Sequence, residues 1–423
     1  MVQYFLSPFK RTPVHFIFTR LLLKRNYMKK ILLQLFFISI LAHWHISTFA
    51  QDSSRLRISL LTCTPGEELY STFGHSAYRI IDSSRAFNDW QDVVYNYGTF
   101  NFDDDGFYLK FVQGKLLYYA SAEYFNDFKE TYQSTNRGIT EQVLNLSATQ
   151  KINMQAFLNN NLKEENKYYK YDFFFDNCTT RLRDILIKYK DATFTQTPVM
   201  PAGSRFRQAI HQYLDKNNKD WSKLGIDILL GQPCDGVMTA AHMQFLPDNL
   251  MKSLDSSKTQ LVLSSQNLYQ ITDANAKKSF FTPFMIFSLL AIFIVLLGFT
   301  KNKFARAFLQ GLEGLFFFVT GILGIILIFM WVGTDHSMTK NNFNLIWAWP
   351  THSIMAFFVN SSQHAVHKRK WVQKYFIITA VVLLAVLICW YFLPQQMNDE
   401  LIPIVLLLIY LSIKKSFATN STD

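Results

Sequence analysis

The chain has 423 residues, which is enough for two or more domains. Hydrophobic residues make up 49% of it and phenylalanine alone contributes 40, which is high for a soluble protein and indicates membrane segments. The formal charge of +11 does not indicate a nucleic-acid partner, because residues 52–279 hold 25 Lys and Arg against 26 Asp and Glu, a net charge of −1. The basic excess therefore lies in the leader and in short loops between apolar runs, where it reflects membrane topology.

The start of the chain has the layout of a secretory signal peptide. Residues 28–50 combine a basic start, a short apolar stretch and small residues just before Gln51. Residues 1–27 add five further basic residues, and we expect Met28 to be the true start. The alternative is a retained N-terminal anchor within residues 1–50. In either case residues 51–279 should form an exported, periplasmic domain.

The exported part has the pattern of an α+β domain. Alternating apolar residues predict strands at residues 56–61, 93–97 and 116–120, with a further strand starting at residue 75. Helical spacing predicts helices at residues 148–161, 179–190, 204–214, 226–230 and 235–245.

Four cysteines are too few for a disulfide framework. Cys63 and Cys234 could pair in an oxidising compartment, although nothing in the sequence places them together. Cys389 lies in an apolar run and should be inert. The chain has no CxxC or HExxH pattern, so we expect neither a metal nor a cofactor.

The stretch from Tyr171 to Arg181 is the most informative one, because an aromatic run ends there at Asp176 and Asn177 and a helical pattern follows. Both of these are good N-cap residues, so Cys178 should lie in the first turn of the helix. A thiol at that position faces unpaired backbone N–H groups and the positive end of the helix dipole, which favours the thiolate. The alternative is a small buried cysteine that packs at a helix start.

A second stretch supplies a candidate base for this thiol. His75 follows a glycine that allows a tight turn, and it opens a β-like run. A thiol nucleophile needs a base close by in space, so Cys178 and His75 form a candidate catalytic pair. Asn96, on the next β-like run, would orient the imidazole, with Asn101 and Asp103 as further candidates. These residue types are also ordinary in turns, and a satisfied core histidine is the alternative for His75.

The order of the histidine and the cysteine in the chain also bears on the fold, since His75 precedes Cys178 by roughly a hundred residues. Papain-like enzymes usually have the cysteine first. The order found here therefore resembles the circularly permuted papain-like branch, which includes lecithin-retinol acyltransferase-like proteins.

The C-terminal third changes character at Phe280. Its apolar runs are residues 284–299, 315–332, 343–359, 375–393 and 401–413. Basic residues follow the first, third and fifth runs, so five crossings place every basic loop and the C-terminus in the cytoplasm. We therefore expect an all-α, five-helix transmembrane domain over residues 280–423, inserted in the bacterial inner membrane. Asp335 and His336 should be interfacial, and the role of His352, within the third run, stays open.

Several motifs together resemble the Lnb N-terminal periplasmic domain family of bacterial envelope proteins. They are Phe73-Gly74-His75-Ser76-Ala77, Phe175-Asp176-Asn177-Cys178-Thr179-Thr180-Arg181, Tyr97-Gly98-Thr99-Phe100, Leu230-Gly231-Gln232-Pro233-Cys234-Asp235 and Phe245-Leu246-Pro247-Asp248. The resemblance covers about residues 55–250 and implies a permuted papain-like fold. Among the motif residues we expect Asn177, Arg181 and Tyr97 to bind substrate.

The expected chemistry is attack of Cys178 on a carbonyl carbon, while His75 takes and returns the proton and N–H groups at the helix start meet the oxyanion. The acyl group would then pass to water, in an amidase or peptidase, or to another acceptor, in an acyltransferase. Substrates at the outer face of the inner membrane include envelope lipids, lipoproteins and peptidoglycan. The competing class is a non-enzymatic envelope binding or assembly protein in which both residues are structural.

Overall fold

The computed structural model describes residues 54–86, 91–190, 192–270, 279–359 and 370–417. The signal peptide predicted at residues 28–50 and the expected start at Met28 lie outside these ranges. All of the residues that the structure describes belong to one compact unit, Ser54–Asp423.

The exported domain is built on an antiparallel sheet, which has seven strands in the described part of the chain, in the order β6-β4-β3-β2-β1-β5-β7. The strands are β1 (Leu56–Cys63), β2 (His75–Asp82), β3 (Asp92–Thr99), β4 (Leu117–Tyr124), β5 (Ile139–Leu144), β6 (Tyr168–Lys170) and β7 (Val262–Tyr269). The central strands β1 and β2 are buried on both faces, which explains their nearly continuous apolar sequence.

Helices cover both faces of this sheet. They are α1 (Phe107–Val112), α2 (Phe125–Ser134), α3 (Ala148–Asn161), α4 (Cys178–Tyr189), α5 (Phe206–Lys216), α6 (Asp220–Leu229), α7 (Ala240–Met243) and α8 (Pro247–Asp255). The apolar sides of α3, α4 and α8 share one core with the sheet, and Leu182, Ile185 and Leu186 of α4 are buried there. The helix α2 covers the opposite face. An antiparallel sheet with helices packed on it is the α+β architecture that the sequence predicts.

Three predicted elements differ clearly from the structure. The helix predicted at residues 226–230 is the end of α6, which already begins at Asp220. The strand predicted at residues 116–120 continues to Tyr124, which brings Glu123 into the sheet. The helix predicted at residues 235–245 is wrong, because a 3-10 turn at Gln232–Asp235 is followed by Gly236 in an extended conformation, and only the short α7 is helical.

The C-terminal part is helical. Its helices are α9 (Pro283–Leu297), α10 (Lys303–Val332), α11 (His352–Val359), α12 (Lys370–Ile388) and α13 (Ile402–Ser416). Among the residues that the structure describes, α10 and α12 are long and apolar enough to cross a membrane. The third apolar run is not one continuous helix, since a 3-10 turn at Phe343–Ile346 precedes α11 and Pro350 lies between them.

A buried polar network joins the exported domain to the loops after α10 and α12. Arg207, on α5, is fully buried and bonds to Asp227 at 2.7 Å and Asp235 at 3.0 Å. Asn398, in the loop after α12, donates to the second carboxylate oxygen of Asp227 at 2.8 Å. The backbone N–H of Gly231 donates to a carbonyl in the loop after α10, and a Cβ at that glycine would lie 1.8 Å from the carbonyl oxygen of Lys340. The exported domain is therefore fixed to these loops rather than tethered by a linker alone.

Candidate functional site

Cys178 occupies the first position of α4, as the sequence predicts. The side-chain oxygen of Asn177 accepts hydrogen bonds from the backbone N–H groups of Thr179 and Thr180, both at 2.8 Å. The hydroxyl of Thr180 in turn accepts from the backbone N–H of Asn177, which completes a reciprocal cap. The cap fixes where the helix begins, and it therefore fixes the position of the thiol.

His75 is the first residue of β2 and follows Gly74, whose φ is +81°. A Cβ at that glycine would lie 2.6 Å from the carbonyl oxygen of Cys63, so the turn before His75 requires glycine. Two contacts hold β2 against α4. The hydroxyls of Ser76 and Thr179 lie 3.1 Å apart, and the hydroxyl of Tyr78 donates to the carbonyl of residue 182 at 2.6 Å. Strand and helix thus meet at the ends that carry His75 and the thiol.

The imidazole belongs to a chain of four side chains. The Nε2 of His75 lies 3.0 Å from Oδ1 of Asn96, and Nδ2 of Asn96 donates to Glu123 at 2.8 Å. A carboxylate only accepts, so Glu123 fixes the orientation of the amide. The amide oxygen then faces Nε2, which must carry the proton, and Nδ1 is left to face the thiol of Cys178. The expected partner Asn96 is therefore in contact with His75, and Glu123 is a member that the sequence did not predict.

The electrostatics of the pair favour the charged form of both groups. Burial by itself raises the pKa of the Cys178 thiol, but the charge and hydrogen bond of His75, the N–H of Ser76 and the hydroxyl of Thr179 outweigh it and lower the pKa from 9.0 to about 7. Burial by itself lowers the pKa of His75, but the Cys178 thiolate and the amide of Asn96 raise it above its ordinary value of 6.5. The two shifts are reciprocal and favour a thiolate–imidazolium pair near neutral pH.

The four cysteines are all free, so Cys63 and Cys234 do not pair. Both are buried, and burial raises the pKa of each thiol to about 12. Cys178 is half-buried, as is His75, so both are less buried than Cys63 and Cys234. Cys389 is exposed at the end of α12. Among the four thiols, Cys178 thus combines partial exposure with a lowered pKa, as a reactive thiol does.

Fewer backbone N–H groups at the start of α4 are free to bind an oxyanion than the sequence predicts. The cap uses the N–H groups of Thr179 and Thr180, so the backbone N–H of Cys178 is the first-turn donor that can meet an oxyanion.

The three residues expected to bind substrate all make contacts within the protein. Asn177 is 4% exposed, and its amide nitrogen donates to the carbonyls of Phe173 and Phe245. Tyr97 is 2% exposed, so its side chain has no surface for a substrate. Arg181 forms a two-pronged ion pair with Asp176, at 2.6 and 2.8 Å. Asn177 and Tyr97 are thus buried, whereas the side chain of Arg181 is 27% exposed, and substrate binding by these residues stays a prediction.

The other candidates lie elsewhere. Asn101 accepts from the N–H of Asp103 in an exposed turn, which is the ordinary role of these residues, and neither orients His75. His352 is buried at the start of α11, with its Nδ1 2.6 Å from the hydroxyl of Tyr375. Among the residues that the structure describes, no group of three or more His, Cys, Asp or Glu side chains is arranged to hold a metal ion.

Comparisons with known proteins identify two matching families in tandem. The Lnb N-terminal periplasmic domain matches residues 43–215, and the Lnb transmembrane domain matches residues 275–422. Searches of curated proteins and of solved structures give no match to the chain. A periplasmic domain joined to a transmembrane domain fits a protein of the inner membrane. The chain belongs to the Lnb family and carries its periplasmic and transmembrane domains in that order.

Proposed function

We propose that the protein is a membrane-anchored periplasmic thiol enzyme, a hydrolase or acyltransferase that acts on an amide or ester bond of envelope material. The observation that carries the proposal is the contact of Cys178, at a capped helix start, with His75, whose imidazole is held by Asn96. Nucleophile, base and orienting group in this arrangement are the elements of cysteine-dependent acyl transfer. The arrangement of a cysteine at a helix start against a histidine on an antiparallel sheet also supports a permuted papain-like fold.

The reaction would proceed in two stages. The thiolate of Cys178 attacks the carbonyl carbon, and the oxyanion is met by the N–H of Cys178. As the C–N or C–O bond breaks, the leaving group takes the proton from the imidazolium of His75, and a thioester remains on Cys178. Water or an acceptor amine or hydroxyl then attacks the thioester and gives its proton to Nδ1 of His75, and the thiolate leaves. Asn96 and Glu123 hold the imidazole in one orientation through both stages.

We further propose five membrane crossings with the C-terminus in the cytoplasm. The loop after α10 and the loop after α12 both bond to the exported domain, at Gly231 and Asp227. Both loops therefore lie on the side of the exported domain, and the basic loop between α9 and α10 lies on the other. This agrees with the distribution of basic residues along the sequence.

The enzyme proposal is tested in cells that lack the native gene and express the full-length Cys178→Ala variant. Cys389→Ala is the matched control, since Cys389 is a free and exposed thiol away from His75. We expect Cys178→Ala at normal abundance to behave as the null strain and to accumulate one uncleaved or unacylated envelope species, detected when lipids, lipoproteins and peptidoglycan fragments are compared by mass. Full function of Cys178→Ala at normal abundance would contradict thiol catalysis.

A further inference from the structure

We propose that α1 binds the outer leaflet of the membrane that holds the transmembrane domain. The exposed apolar side chains of α1, here called the interfacial patch, are Tyr108, Leu109, Phe111 and Val112. Tyr108 is 76% exposed and Leu109 is 62% exposed, whereas Phe107 is the buried residue of this helix. A contiguous group of exposed apolar side chains commonly marks a surface that binds a partner or a membrane.

The position of the patch identifies that surface. The transmembrane helix α10 ends at Val332, and the N–H of Asp335 donates to the carbonyl of Gln113 at 2.9 Å. The Nε2 of His336 lies 3.2 Å from the carbonyl oxygen of Phe111. The patch is therefore bonded directly to the residues that follow the outer end of a membrane helix, at the level where headgroups begin.

The composition around the patch also fits an interface between lipid and water. Tyrosine and phenylalanine are favoured where acyl chains meet headgroups. The exposed ammonium groups of Lys110 and Lys115 flank the patch, and both can contact lipid phosphates. The aspartates of the preceding turn, residues 103–105, are exposed and stay in water or among the headgroups.

A small apolar patch is enough for membrane binding because the transmembrane domain already anchors the protein. The transmembrane domain keeps α1 next to the bilayer, so binding of the patch is an intramolecular event with a high effective concentration. The same end of the sheet carries His75, and α1 connects β3 to β4 at that end. Binding of α1 would therefore hold the Cys178–His75 site close to the bilayer. This inference does not depend on whether Cys178 is catalytic.

The test uses full-length protein in lipid nanodiscs, with Cys178→Ser and Cys389→Ser in the background. An environment-sensitive fluorophore is attached at Leu109→Cys, and the lipids carry a nitroxide quencher near the top of the acyl chain. The control site is Leu263→Cys, which is 56% exposed on β7 at the opposite end of the sheet. At about 3.3 Å per residue, eight residues of strand separate the two ends by roughly 25 Å.

We expect the probe at position 109 to shift to the blue and to lose most of its emission in quencher-containing nanodiscs, while the probe at position 263 is unaffected. Replacing Tyr108 and Phe111 together by serine should restore most of the emission at position 109. Equal emission at the two sites, or quenching that persists unchanged after the double replacement, would overturn the proposal.

Discussion

The amide oxygen of Asn96 lies 3.0 Å from Nε2 of His75, and the nitrogen of the same amide donates to Glu123. The amide is therefore held at both ends, and the imidazole can present only Nδ1 to Cys178. Burial raises the pKa of Glu123, and the hydrogen bond from Asn96 and the charge of His75 oppose this shift.

Replacing Glu123 should loosen the imidazole without removing any reacting group. We expect Glu123→Ala to lower the activity, or the alkylation rate of Cys178, by about tenfold or more, because small misplacements of a catalytic group are costly. Glu123→Gln should recover most of the loss, since its side-chain oxygen can still accept from Asn96. Glu130→Ala, on the exposed side of α2, is the control. Equal effects of Glu123→Ala and Glu130→Ala would show that Glu123 has no positioning role.

The pH dependence of alkylation measures the coupling of Cys178 to His75. The thiolate fraction should rise with pH through a midpoint of about 7, because the imidazolium stabilises the thiolate. In His75→Asn this charge is lost while burial remains, so the midpoint should move above 9.0, the ordinary value. Rates are measured on the full-length protein with Cys389→Ser. A wild-type midpoint at or above about 8.5, the value of a free cysteine, would argue against an activated thiol.

The features that could be predicted from the sequence depend on residues that are close together in the chain. The cap at Asn177 and the glycine before His75 act within a few residues, and the structure has both where expected. The helix Ala148–Asn161 has the predicted bounds because Ser147 supplies a reciprocal cap. The pairing of β1 with β5, and of β5 with β7, joins segments far apart in the chain, and neither β5 nor β7 was predicted.

The roles of polar residues could not be predicted in the same way. Arg181 and Asp176 lie five residues apart, and nothing in the sequence shows that they pair with each other rather than with a substrate. Glu123 contacts Asn96 only because β4 is longer than its apolar pattern indicates, and because β3 and β4 pair in one register. Such roles depend on tertiary packing, which a single sequence does not specify.

The buried Arg207 network should contribute strongly to the stability of the exported domain. Arg207→Met removes one cation and leaves the carboxylates of Asp227 and Asp235 buried, which typically costs about 3–5 kcal/mol. We expect a clearly lower midpoint of thermal unfolding for the full-length protein in detergent. Arg205→Met, at an exposed position before the same helix, should leave the midpoint almost unchanged. Equal midpoints for the two variants would contradict a stabilising role of the network.

The five-crossing topology predicts which loops are open to the periplasm. Phe392→Cys, at an 87% exposed position after α12, should react with a membrane-impermeant maleimide in intact spheroplasts. Lys301→Cys, in the basic loop after α9, should react only after the membrane is opened. Cys389→Ser and Cys178→Ser remove the reactive background. A reporter that works only in the cytoplasm should be active when fused after Asp423 and silent after Lys340. Labelling at position 301 from outside would rule out five crossings.

The central proposal is that Cys178 and His75 act together in one reaction. The most direct test compares Cys178→Ala, His75→Ala and the double variant in the same strain. A thiol without its base, or a base without its thiol, leaves the same incomplete site. We therefore predict that each single variant loses the same activity at normal abundance and that the double variant loses little more. If the protein is instead a binding or assembly factor with a structural Cys178 and His75, the single variants will keep the function whenever the protein is present. Losses that follow protein abundance and add in the double variant would contradict the account.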